Sequence, residues 1–302
     1  MKRKGNIYEK ITDLNNIETA IYRASKGKGN RKSVEKILDS PTYYAMQVQQ
    51  ALINKTYVPN KYVEMKIRDG ANKKERIIYK PRFYPDQVIH WALMLQLEPI
   101  IMKGMYEFCC ASIKGRGIMR GMRHIKKILV QDRKHTKYCL KLDVKKFYPS
   151  IDKQILKNKF RRVLKDKDTL NLIDLIIDSS ESGIPIGNFT SQWFANFYLQ
   201  DLDHFIKEQL KVKYYVRYMD DMVLFSNNKK ELRKILLKKG FDDMNKTLKI
   251  LLILISTTII LTGITYASVK IYEKIKGQAT MTPIFTGEIG DTDTNNIWIS
   301  TF

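Results

Sequence analysis

Tyr218-Met219-Asp220-Asp221 stands between two short apolar runs, Tyr214-Tyr215-Val216 and Met222-Val223-Leu224-Phe225. Two strand-like runs around a polar step predict a hairpin whose tight turn carries Asp220 and Asp221. Adjacent carboxylates on an ordered turn repel each other, and a hard divalent cation with oxygen ligands is the usual compensation. The plain alternative is an Asp-rich surface turn, because Asp is a common turn residue. The sequence upstream weighs between the two.

There, Tyr138-Cys139-Leu140-Lys141-Leu142-Asp143-Val144 reads as a strand. Leu140 and Leu142 alternate with Cys139, Lys141 and Asp143, which predicts one buried and one exposed face. Alone, Asp143 would be read as a strand-end cap. Beside the hairpin, such a strand brings Asp143 to Asp220 across a sheet. Asp143, Asp220 and Asp221 could then hold two Mg²⁺ ions about 3.5–4 Å apart, the arrangement used for in-line displacement at phosphorus. Mn²⁺ is an alternative ion for the same ligands. One ion would lower the pKa of an attacking 3′-hydroxyl, and the other would neutralise charge on a leaving pyrophosphate.

These stretches resemble a family. Leu142-Asp143-Val144-Lys145-Lys146-Phe147-Tyr148 is similar to the first catalytic motif of reverse transcriptases, the RNA-directed DNA polymerases. Tyr-Met-Asp-Asp is similar to their central motif. Gly183-Ile184-Pro185-Ile186-Gly187-Asn188-Phe189-Thr190-Ser191-Gln192 resembles the motif that lines the incoming nucleotide and template. The order and spacing of the three match as well. The resemblance runs from about Tyr8 to about Lys239. It implies Asp143, Asp220 and Asp221 as catalytic residues and metal ligands, with Val144 joining the metal and nucleotide sites. It also implies a template RNA, a primer and deoxynucleoside triphosphates as partners.

Most reverse transcriptases carry Gln before the glycine of the middle motif and Pro after its serine; here Ile186 and Gln192 stand there. That departure is similar to the enzymes of diversity-generating retroelements, whose copying is error-prone at template adenines. Lys114-Gly115-Arg116-Gly117, Phe194-Ala195-Asn196-Phe197-Tyr198-Leu199 and Leu202-Asp203-His204-Phe205 resemble the same group. It would bring a small basic accessory protein as a further partner. Retron and group II intron enzymes, the alternative subfamilies, more often have Ala where Met219 stands.

The remaining nucleotide-binding candidates follow from the resemblance. Tyr148 matches an aromatic steric gate, whose ring would clash with a 2′-hydroxyl and select deoxynucleotides. A core aromatic beside Phe147 is the competing reading. Gly187 permits close approach of backbone to a nucleotide, though Gly-x-Pro-x-Gly also reads as a turn. Ile186 replaces an amide by an aliphatic side chain and so removes hydrogen-bonding capacity near the nascent base pair. In the fingers, Tyr62–Arg68 and Arg76–Tyr79 flank the turn-rich Asp69–Glu75 and read as a hairpin. Arg76 matches the family's phosphate-binding arginine, with Lys66 or Arg68 assisting from the facing strand. A solvated basic hairpin is the alternative, and it is the reading for Lys73 and Lys74.

Composition agrees. The 302 residues include 54 Lys and Arg against 31 Asp and Glu, a formal net charge of +23. Such a field steers polyanions and makes their binding salt-dependent. A ribosomal or other RNA-binding module would be equally basic, but a pure binder has no need of the ordered carboxylates. Three cysteines without Cys/His spacing give no zinc site and fit a reducing cytoplasm. The first residues lack the apolar core of a signal peptide.

The predicted class is α+β, a right-hand polymerase palm and fingers. Residues 1–60 form an N-terminal helical region, and 61–243 hold fingers (about 61–93 and 149–182) and palm (about 94–148 and 183–240). Helices are expected over Ser33–Lys55, Asp86–Ile101 ending near Pro99, Lys153–Leu164, Leu170–Ile177 and Gln192–Leu210. Strands Lys137–Asp143 and Lys213–Phe225 form the palm sheet. A further helix opens at Asn228–Lys239, but no primer grip or thumb follows.

The C-terminal residues read differently. Ile250 to Val269 carries no charge and is long enough to cross a bilayer as a helix, which at about 20 residues suggests a membrane tether. A polar tail, 270–302, follows. From Asn245 onward five Lys stand against four acidic residues, so nearly all the excess charge lies upstream. Met244-Asn245-Lys246-Thr247-Leu248-Lys249 before an apolar run looks like the start of an exported or anchored protein. A seam between two reading frames near Phe241–Met244 is therefore expected, giving a truncated or fused remnant. The rival is a membrane-tethered polymerase.

Overall fold

The computed structural model describes residues 2–69, 74–237 and 297–301. In chain order these are α1 (Tyr8–Ile11), α2 (Leu14–Ser25), α3 (Lys32–Leu38), α4 (Pro41–Ile53), β1 (Val63–Asp69), β2 (Lys74–Lys80), α5 (Val88–Ile101), α6 (Ile118–Gln131) and β3 (Tyr138–Leu142). They continue with α7 (Phe147–Ser150), α8 (Lys153–Val163), α9 (Lys167–Asp178), α10 (Phe189–Tyr198), α11 (Gln200–His204), β4 (Tyr214–Tyr218), β5 (Asp221–Ser226), α12 (Lys229–Leu237) and β6 (Ile297–Thr301). The class is α+β, as expected. The chain forms two compact units: Met1–Met105 with Tyr148–Tyr198, and Tyr106–Phe147 with Leu199–Phe302.

In the first unit, α5 is the central helix. Ile89, Ala92, Leu93, Met94 and Leu97 are buried around its circumference, so it lacks the polar stripe of a surface helix. Helix α2 offers it Ile17, Ala20, Ile21 and Ala24 at helical spacing. Phe160 of α8 packs on Phe194 and Phe197 of α10, with ring centroids 4.9 and 4.7 Å apart. The Asp166 carboxylate ties the N-terminus in, accepting the backbone N–H groups of Ile7 (2.7 Å) and Tyr8 (2.9 Å). It also caps α9 through Thr169 N. Strands β1 and β2 form a separate antiparallel ribbon.

Three expected helices depart from their predicted bounds. Ser33–Lys55 is two helices, because Pro41 occupies the first turn of α4 and forces a new start. The Asp86–Ile101 helix continues through Pro99 to Ile101 rather than ending there. The expected Gln192–Leu210 helix starts at Phe189, breaks at Leu199, and finishes as a π-turn at Phe205–Gln209. Neither Gly nor Pro marks that break.

The second unit is built on a sheet in the order β4-β5-β3-β6, with every pair antiparallel. The expected palm strands are present, and β6 adds a strand from within 270–302 where none was anticipated. Cys139 is buried, not exposed: with Val223 and Phe225 it packs under Ile128 of α6. The sheet is therefore covered on that face too, and the simple alternation inferred for β3 breaks down. Helix α6 packs on this face near Gly121, where an added Cβ would stand 3.4 Å from Cys110 Sγ and Val216 Cγ1, an ordinary van der Waals contact.

Among the described residues, no helix is long and apolar enough to cross a membrane. The 250–269 run, the Phe241–Met244 seam and the region expected to hold the thumb lie outside the described residues.

Candidate active site

Strand β4 ends at Tyr218 and pairs there with Asp221, so the hairpin loop is Met219-Asp220 alone. Asp221 is thus the first residue of β5 rather than part of the turn. Met219 has φ +54, a left-handed conformation that two-residue hairpin loops require and glycine usually supplies. For methionine it costs about 1–2 kcal/mol. The compensation is visible: Arg217 Nη1 donates to the Met219 carbonyl at 3.0 Å.

In the β3–β5 ladder Leu142 pairs with Met222. One further step brings Asp143 level with Asp221 at the mouth of the turn. The Asp220 carboxyl is pushed up to about 7, first by burial and then by the negative charge of Asp143, with which it also hydrogen-bonds; Asp221 adds to the effect. A buried carboxyl beside a second acid is what a divalent cation would relieve. The donor set therefore fits a hard ion. Asp221 is engaged differently, with its Oδ1 3.6 Å from Lys141 Nζ. Among the described residues no group of three acidic, histidine or cysteine side chains already converges on an ion position. An ion at Asp143 and Asp220 would compete with Lys141 for the third carboxylate. The Val144 side chain is buried and carries no donor atom, so its carbonyl is the one group it could offer an ion.

The other predicted residues belong to the first unit. Register separates the basic residues of the ribbon. Arg76 pairs with Ile67, whereas Lys66 pairs with Ile77 and Arg68 with Glu75. Residues directly opposite share a face, so the positions of Lys66 and Arg68 lie on the face away from Arg76. A joint clamp of Arg76 with Lys66 or Arg68 is not what this ribbon offers.

Gly187 also makes a close approach within the protein itself. It has φ +116, and a Cβ there would fall 2.4 Å from Ile78 Cγ2 and 2.9 Å from Tyr79 O. The close approach is to β2, and Tyr79 N donates to Ile186 O at 2.7 Å beside it. The Ile186 loop is thus pinned to the ribbon. At the other end of the loop, Gly183 (φ +53) has no room for a Cβ against the Tyr148 carbonyl, which accepts from Ile184 N at 3.1 Å. The backbone of Tyr148 is fixed by the same loop that carries Ile186. Tyr148 is half-buried, while Phe147 beside it is a core residue. Gln192 is exposed on α10.

Two residues of the palm escaped sequence reasoning. Arg217 and Asp203 form a fully buried ion pair, with Nε to Oδ1 at 2.7 Å and Nη2 to Oδ2 at 2.6 Å. Tyr215 OH donates to the same Asp203 Oδ1 at 2.7 Å. Burial works against the guanidinium charge, but Asp203 beside it holds Arg217 firmly protonated. The available signal was an arginine inside a strand otherwise made of Tyr and Val.

The sequence profile described as "Reverse transcriptase (RNA-dependent DNA polymerase)" matches residues 67–253, which span both carboxylate motifs and the middle loop. The chain belongs to the reverse transcriptase family. Two curated reverse transcriptases are similar to it. Retron Ec73 reverse transcriptase of Escherichia coli is 27% identical over 226 residues, covering 70% of this chain and 66% of its own length. Retron Se72 reverse transcriptase of Salmonella heidelberg (strain 579083-10) is 26% identical over 168 residues, covering 55% and 41%. The chain thus spans less than two thirds of either relative. Among solved structures, an apo telomerase from Candida tropicalis, truncated from its C-terminal domain, aligns over 64% of this chain and 48% of its own. Identity is 15% and the TM-score 0.43, an overlap that carries no argument.

Proposed function

We propose that this reverse transcriptase family member is an RNA-directed DNA polymerase that extends a primer on an RNA template. One observation carries the reading: Asp143 and Asp220, from separate motifs, meet at a buried turn, where burial first and the Asp143 charge second push Asp220 up to about 7. A binding module gains nothing from such repulsion, whereas a phosphoryl-transfer centre uses it to hold cations. Asp143, Asp220 and Asp221 would hold divalent ions, with the Val144 carbonyl as a further ligand. When bound, the ions supply activation of a 3′-hydroxyl and neutralisation of a leaving pyrophosphate.

The chain's own residues prepare that centre. The Met219-Asp220 loop presents its acid at the end of a rigid hairpin, and Lys141 holds Asp221 ready. Arg76 is assigned to triphosphate oxygens and Tyr148 to exclusion of ribonucleotides, both from the family resemblance. A primer-extension assay with Mg²⁺ on an RNA template tests the reading. Incorporation lost in Asp220→Asn supports it, and equal incorporation removes the metal assignment.

The finer reading is an error-prone enzyme of the diversity-generating type. It is supported by Ile186 and Gln192, which leave an aliphatic and an exposed amide where most relatives have Gln and Pro. The names of the two similar proteins favour a second reading, a retron-type enzyme. Ile186→Gln separates them: misincorporation at template adenines should fall in the first case. A wild-type enzyme that is already accurate at adenines would leave the retron reading.

A further inference from the structure

We infer that Asp203 and Arg217 are positioning residues for the metal-binding turn, acting on Asp220 through the Met219 carbonyl. The inference rests on the proposal that Asp143, Asp220 and Asp221 hold metal. Arg217 lies two residues before Met219 on β4, with its side chain wholly buried and that of Asp203 only 1% exposed. All three guanidinium nitrogens are committed: Nε and Nη2 to Asp203, and Nη1 to Met219 O. The turn's left-handed residue is therefore held by a donor whose own orientation is set by a bidentate fork.

The backbone of Arg217 is clamped as well. Arg217 N donates to Phe108 O at 3.0 Å, and Arg217 O accepts from Cys110 N at 2.8 Å. Arg116 fixes that neighbouring segment, giving Nη1 to the carbonyls of Tyr106 (2.6 Å) and Cys109 (3.2 Å). Tyr106 OH returns to Tyr215 O at 2.8 Å. The strand leading into the turn is thus held on its edge and from beneath.

Charge accounts for the choice of partner. A lone buried guanidinium under the turn, bonded to the Met219 carbonyl, would add positive charge near a site meant for a cation. Asp203 takes that positive charge instead, so the pair supplies a hydrogen bond to the turn at no net charge. Stability alone does not explain a buried ion pair, because well-packed apolar residues in its place are often neutral or stabilising. Fixing one conformation of the turn does explain it.

The test uses the full chain and the double variant Asp203→Leu/Arg217→Met, which removes both charges together and fills the space. Mn²⁺ binding to the metal-free protein is followed by electron paramagnetic resonance, beside the thermal midpoint without metal. Primer-extension kcat and KM are measured in parallel. A double variant still folded at the assay temperature, its midpoint lowered by the lost bonds to Met219 O and Tyr215 OH, should bind Mn²⁺ about 10- to 100-fold more weakly, with kcat falling more than the primer KM rises. Arg217→Lys, which keeps the charge but loses the fork, should fall between and is read in the same way if the double variant does not fold. Wild-type Mn²⁺ affinity in either folded variant overturns the inference while leaving the metal site standing. Wild-type protein whose Mn²⁺ binding is unchanged by Asp220→Asn overturns the metal site itself, and the inference with it.

Discussion

Replacing Gly187 by Ala should destabilise the first unit and release the Ile186 loop from the ribbon. The backbone there has φ +116, outside the regions that L-residues adopt. Holding a non-glycine residue in such a conformation costs of order 1–3 kcal/mol. The new methyl would also meet Ile78 Cγ2 at 2.4 Å and Tyr79 O at 2.9 Å. The isoleucine methyl can rotate away, but the carbonyl belongs to a paired strand and cannot. Overpacking of this kind costs about 1–3 kcal/mol, giving about 2–6 kcal/mol in total. The cheapest relief is to lift the loop, which breaks the 2.7 Å bond from Tyr79 N to Ile186 O. Urea unfolding measures the cost, and the KM for deoxynucleotides reads the displaced loop. Gly27→Ala is the control: its φ is +71 but nothing lies within 4 Å of its Cβ position, so only conformational strain of about 1–2 kcal/mol remains. Gly187→Ala no less stable than Gly27→Ala would refute the reasoning.

Three further outcomes follow from other sites. His90 is buried with neither ring nitrogen hydrogen-bonded, and burial pulls its pKa down to about 4. The unfolded chain takes up that proton near pH 6.5 and the folded chain only near 4, so stability is lost as pH falls through this window, by about 3 kcal/mol. His90→Leu should flatten the slope of urea stability between pH 7 and pH 4; an unchanged slope would exclude His90 as its source. Asp166→Ala deprives Ile7, Tyr8 and Thr169 of their N–H acceptor and should cost about 2 kcal/mol in thermal or urea unfolding. Tyr148→Ala should narrow the preference for deoxynucleotides over ribonucleotides in primer extension, with the loop contacts of its backbone retained.

The hairpin and the strand before it were legible because their apolar runs are dense and the intervening acids have no place in a core. Register then followed in part: Asp143 does meet Asp220, but Asp221 turned out to be a strand residue facing Lys141. Two-residue loops are hard to place when the left-handed position is a Met instead of a Gly. The ribbon was legible as an element but its faces were not, because a one-residue shift in pairing exchanges the sides of Arg76 and Lys66. Gly187 was recognised as a close approach, yet the approaching partner is a strand more than 100 residues earlier, which no local pattern reveals. The Asp203–Arg217 pair was invisible for another reason: its members stand 14 residues apart on a helix and a strand, and neither local pattern names the other as partner. Cys139 misled because a sheet covered on both faces loses the alternation on which strand reading depends.

The central claim is that Asp143, Asp220 and Asp221 form a metal-dependent polymerase centre. Primer extension on an RNA template with Mg²⁺, comparing the full chain with Asp220→Asn, tests it most directly. The account predicts template-directed deoxynucleotide incorporation by the wild type, abolished by chelation, and a fall to the no-protein background in Asp220→Asn. Equal incorporation by both proteins would contradict the assignment of the site, and none by either would contradict polymerase activity in this chain.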